Sequence, residues 1–67
     1  MKEMRKTEGL ISLEKSIEQS PHRYFVSRFE DGSLHKAEHL DSGTLWVVSR
    51  NGFDRDGTPI AGLIMIP

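Results

Sequence analysis

The 67-residue chain contains no cysteine, which excludes a disulfide framework, a thiolate nucleophile and a cysteine-built zinc ribbon. For so small a chain that absence points to a reducing, cytoplasmic compartment. Long apolar runs are missing too: the longest, Ile60 to Ile66, is far short of the ~20 residues that cross a bilayer as a helix. The amino-terminal MKEMRKTEG is charged and holds no apolar core of the ~7–15 residues found in a secretory signal. A soluble protein is expected. There is also no excess of positive charge. Nine basic residues stand against ten acidic ones, a net charge of -1, so no overall field draws the chain to phosphates, although a local basic patch stays open.

What is present describes an ordinary globular chain, with 36% hydrophobic and 28% charged residues, a balance unlike that of disordered segments. Sixty-seven residues make one domain at most, and a domain of this size buries only about 60% of the surface its unfolded chain exposes. Residues 1–9 read as a flexible tail and residues 10–67 as the domain. Leu10, Leu13 and Ile17 follow helical spacing, although Ile11, Leu13 and Ile17 also fit strand alternation. The helix is preferred, with Ser12 as its cap, Glu14 in its first turn and Pro21 as its stop. A helix this short is marginal alone and needs a sheet on which to dock that stripe.

Arg23 to Arg50 reads as three strands separated by Glu30-Asp31-Gly32-Ser33 and Asp41-Ser42-Gly43, and Ile60 to Ile66 as a fourth. Asp31-Gly32 suits a two-residue type I′ turn, which pairs Phe29 with Leu34, Arg28 with His35, Val26 with Ala37 and Tyr24 with His39. In that register Phe25, Phe29, Leu34 and Leu40 form one face, expected to be core. Tyr24, Val26, Arg28, His35, Ala37 and His39 form a mixed second face. The third strand, Thr44 to Arg50, sets Leu45 and Val47 against Trp46, Val48 and Arg50. Asn51 to Gly57 reads as a loop with Phe53 tucked back, and the apolar Ile60 to Ile66 as a strand covered on both faces. The fold class is α+β: a short N-terminal helix on a small antiparallel meander of three to five strands, with a small SH3/Sm-like β-barrel as the alternative.

The segment His35-Lys36-Ala37-Glu38-His39 matches H-x-x-E-H and over those five residues resembles the inverted zinc metallopeptidases, whose histidines share one helical turn. On a strand they stand roughly 13 Å apart at ~3.3 Å per residue and cannot share an ion. Asp54-Arg55-Asp56-Gly57 matches part of an EF-hand loop, but Leu63 falls where the bidentate glutamate is required. There is no Gly-x-Ser-x-Gly elbow, Walker loop or dinucleotide fingerprint. Neither catalysis nor a metal or other cofactor is expected.

Two binding surfaces remain. Apolar residues on both sides of the third and fourth strands exceed what a two-layer monomer can cover, which implies a protein partner or a homodimer, with an exposed sheet edge as one route. Alternatively Tyr24, Arg28, His35, His39, Trp46 and Arg50 supply aromatic and cationic groups of the kind that stack on single-stranded nucleic acid. The order helix, strand, Asp-Gly turn, strand, strand, loop, strand is similar in outline to the Sm-like barrels, and that resemblance implies an RNA-binding ring. The glycine expected in the second strand is replaced by Ala37 nearby, and a fifth strand must come from Ile11 to Ile17 or from a bend in the third. The leading expectation is a non-enzymatic protein-binding or regulatory module, with RNA binding as the alternative.

Overall fold

A computed structural model of the chain describes residues 4–67. Helix α1 spans Glu8–Gln19, and Thr7 caps it in extended conformation, its hydroxyl accepting the Leu10 N–H at 3.3 Å. The cap is Thr7, five positions before the expected Ser12, and the helix begins at Glu8, two residues before Leu10, so Glu8 sits in its first turn, where a carboxylate is favoured. Leu10, Leu13 and Ile17 are its buried stripe, as the helical spacing requires. The Ser20 N–H closes on the Ser16 carbonyl, and Pro21–Arg23 follow as a single 3-10 turn.

Five strands form one sheet: β1 (Arg5–Lys6), β2 (Tyr24–Arg28), β3 (Leu34–His39), β4 (Leu45–Phe53) and β5 (Pro59–Ile66), in the order β1-β5-β4-β3-β2. The fold is α+β, and β2 to β5 are the antiparallel meander. The sheet as a whole is mixed, because β1 runs parallel to β5, with Arg5 beside Ile60 and Lys6 beside Ala61. The fifth strand therefore comes from the stretch read as a tail, not from Ile11 to Ile17 or a bend in the third strand. Met1 to Glu3 of that stretch lie outside the described residues. Thr7 donates its N–H to the Ala61 carbonyl at 3.0 Å, which ties the helix start to β5. Among the described residues β1 and β2 are free edges, so the sheet does not close into a barrel.

The helix covers one face only. Leu10, Leu13 and Ile17 pack with Leu34, Ala37, Val48 and Ala61, and Tyr24, Val26, Trp46 and Leu63 line the margin of that cluster. Leu34 is buried as expected, at 3% exposed, but Phe25 and Leu40 of the same expected face are not. Phe25 is 67% exposed and Leu40 56%, while Ala37, from the face read as mixed, is fully buried. The β5 strand is likewise covered on one face, and only as far as Leu63: Met65 on that side is 61% exposed, and Ile64 and Ile66 stand exposed on the other. Phe53 is 70% exposed rather than tucked back.

Turn chemistry explains why Leu34 and Ala37 share the buried side. Phe29 donates its N–H to the Ser33 carbonyl and its own carbonyl accepts from the Gly32 N–H. Only Gly32 in this loop has positive φ, at 86°. That is a three-residue loop with glycine in the left-handed position, not a type I′ turn, which needs two positive φ values. The pairing of Arg28 with Leu34 follows from it, and a bulge between Ser27 and Arg28 then restores the expected pairs from Ser27–Lys36 to Tyr24–His39. His35 is the extra residue, so Leu34 and Ala37 both point to the core although an odd number of positions separates them.

The same device joins β4 to β5. Asp54 pairs with the Thr58 carbonyl, Gly57 donates to the Asp54 carbonyl, and Gly57 has φ 80°. In consequence β4 runs on to Phe53, across a second bulge between Ser49 and Gly52, where a loop from Asn51 was expected.

Candidate functional site

The alternation of side chains along a strand and the ladder register together define the face that the helix leaves open. Leu45 lies across from Ile66 and Val47 from Ile64. Lys36 lies across from Val47, Glu38 from Leu45 and Phe25 from Glu38. The open face thus carries an apolar strip on β4 and β5, a Lys36/Glu38 row on β3 and Phe25 on the β2 edge. Ile64 is 54% exposed and Ile66 47%, whereas Leu45 and Val47 are half-buried by their neighbours. A groove of about 200 Å³ runs between Phe25, Ser27, Lys36, Glu38 and Leu45.

The six residues singled out for their aromatic and cationic character fall into two groups. Tyr24 meets His39 edge-on, ring centres 5.1 Å apart, and Trp46 at 6.3 Å. All three are half-buried. His35 lies against Phe29 with ring centres 4.5 Å apart, and the Arg50 guanidinium covers the same ring at 4.4 Å. Arg50 also pairs with Asp31 at 3.7 Å, and Arg28 donates to the Gly32 carbonyl at 3.1 Å. The aromatic group and the cationic group occupy opposite ends of the β2–β3 hairpin, and both arginines engage their own chain.

The two Asp-Gly turns hold the remaining organised charge. The Asp31 carboxylate accepts from the Ser33 hydroxyl and N–H. These bonds, the hydroxyl first, hold it below its ordinary value of 3.8. Asp56 is pushed well below the usual carboxylate range, first by hydrogen bonding with the Asp54 side chain, then by the Thr58 hydroxyl and N–H, with Arg5 adding to the effect. Arg5 reaches Asp54 at 2.5 Å and Asp56 at 3.4 Å. Among the described residues no group of three or more histidine or acidic side chains is placed to hold a metal ion, and His35 and His39 lie on a strand.

The open face carries residues that the sequence reading had not assembled. Its signal is present in β4 and β5, whose apolar residues alternate onto both sides, but not in Phe25, which the expected register places in the core and the structure leaves 67% exposed. No helix among the described residues is long and apolar enough to cross a membrane. Comparison with known proteins finds no family model, no curated protein and no solved structure that matches the chain.

Proposed function

We propose that this chain is a non-enzymatic module that binds another protein through the open face of its sheet. The observation that carries the reading is the strip formed by Leu45, Val47, Ile64 and Ile66, exposed in part on a sheet whose other face already holds the whole buried cluster. A sheet is normally covered wherever it is apolar, and a contiguous apolar patch rimmed by polar residues marks an interaction surface. Lys36 and Glu38 beside the strip call for a partner surface that is apolar at its centre and offers one acidic and one basic group at its margin. Nucleic-acid binding through Tyr24, Arg28, His35, His39, Trp46 and Arg50 draws less support, because stacking needs open rings and free cations.

A photo-crosslinking residue at Leu45, with one at Lys15 on the outer side of the helix as control, tests the reading. The protein trapped from Leu45 is then purified and titrated. Val47→Glu should weaken that complex by roughly a hundredfold, as the loss of a central interface residue does. Equal trapping from both positions, or an unchanged affinity for the variant, contradicts it.

A further inference from the structure

The two edges of the sheet differ. Among the described residues the β1 edge is two residues long and is flanked by ion pairs from Arg5 to Asp54 and Asp56 and from Lys6 to Glu14, the charged, shortened form that discourages pairing. The β2 edge is Tyr-Phe-Val-Ser-Arg, aromatic and β-branched, without proline or lysine. Its main-chain directions follow from the ladder. The Arg23 carbonyl accepts from Leu40, and both polar groups of Phe29 bond across the turn to Ser33 and Gly32, so Phe25 and Ser27 also face β3. Tyr24, Val26 and Arg28 therefore direct their polar groups outward. The Tyr24 N–H is taken by the Pro21 carbonyl, which leaves the Val26 N–H and C=O, the Tyr24 C=O and the Arg28 N–H on the edge.

We infer that β2 pairs with β2 of a second copy, antiparallel, about a two-fold axis at Val26. That register matches donors to acceptors: each Val26 N–H meets the other Val26 carbonyl and each Arg28 N–H meets a Tyr24 carbonyl, about four hydrogen bonds in all. It also matches side chains. Tyr24 stands beside the other copy's Arg28, Phe25 stands opposite Ser27, and no like charges face each other. An axis perpendicular to the sheet keeps both helices on one side and both open faces on the other, so the two apolar strips extend across a sheet of twice the width. A second copy is favoured over an unrelated extended peptide because this strand complements itself in both sets of contacts. Self-pairing at β2 stands whether or not the open face takes a protein partner.

A strand pair of this length buries less than standard interfaces do, so the dimer should dissociate at micromolar concentrations, on the order of 10–100 µM. Sedimentation of the purified chain should show that equilibrium, and exchange of the Val26 and Arg28 amides should slow as concentration rises. Val26→Pro removes an N–H that takes no part in the β2–β3 ladder, a position where an edge strand accepts proline, and should weaken the dimer roughly tenfold or more. A charge test covers the case in which that variant fails to fold. Phe25→Lys with Ser27→Lys should abolish pairing, and Phe25→Lys with Ser27→Glu should restore it, because position 25 faces position 27 of the other copy, while within the hairpin the new charges at 25 and 27 oppose Glu38 and Lys36. A chain that stays monomeric at about 1 mM, where pairing of this strength should hold roughly 80–90% of it as dimer, overturns the inference. So does a dimer in which the Val26 amide exchanges freely, or one indifferent to both charge variants.

Discussion

Val47 lies directly across the ladder from Ile64, and both point away from the helix, while Val48 one residue on is buried beneath it. Neighbouring valines in β4 thus live in opposite environments, and charge substitution separates them. Val47→Glu should cost no more than about 1 kcal/mol, the scale of a cross-strand pair. Val48→Glu should cost about 3–5 kcal/mol or prevent folding, since it buries an unpaired charge. Urea unfolding of the two variants measures the difference, and equal losses would mean that the helix does not distinguish the faces.

Gly32 and Gly57 hold the same left-handed conformation, φ 86° and 80°, at the close of two loops built alike. Replacing either with alanine should destabilise the fold by about 1–2 kcal/mol, the usual cost of that region for an L-residue. Gly9 is the contrast. It lies inside α1, and an added methyl would meet Leu63 Cδ1 at 3.8 Å, an ordinary contact. Gly9→Ala should be neutral or stabilise by up to about 1 kcal/mol.

The start of α1 is set by the Thr7 hydroxyl on the Leu10 N–H. Thr7→Ala should cost about 0.5–2 kcal/mol, as loss of an N-cap does. Ser12 sits inside the helix and is exposed, so Ser12→Ala should raise stability by a few tenths of a kcal/mol. The opposite ranking in thermal melts would restore the later helix start.

Acidification should destabilise the fold through the two turns. Asp31 and Asp56 have folded-state values below 3.8, so as pH falls the unfolded chain takes up protons first. Their contribution is fully present above 3.8 and is lost as pH falls through that value toward the lower folded ones. Melting temperatures recorded from about pH 6 to pH 2 should fall more steeply for the natural chain than for an Asp31→Asn/Asp56→Asn variant. Parallel curves would show that these carboxylates are no better stabilised in the folded chain.

The meander, the helical stripe and the sides of β4 were legible because hydrophobic period and turn residues act locally. Leu10, Leu13 and Ile17 needed nothing else to be read. The sides of the first hairpin were not legible. Both candidate faces carry apolar residues, and the extra residue at His35 puts Leu34 and Ala37 on one side, which no period of two can show. The β1 strand was hidden for another reason: two charged residues carry no strand signal, and Arg5–Lys6 pair only because β5 offers an edge. The open face was half legible, through β4 and β5, but not Phe25, whose aromatic character suits a core equally well.

Methyl relaxation by a soluble paramagnetic probe, recorded on the free chain and with its trapped partner, tests the central claim most directly. The account predicts strong relaxation at Ile64 and Ile66, weak relaxation at Ile17 and Val48, and shielding of Val47, Ile64 and Ile66 when the partner binds. Free-chain shielding of Ile64 and Ile66, or a partner that leaves them as exposed as before, would contradict it.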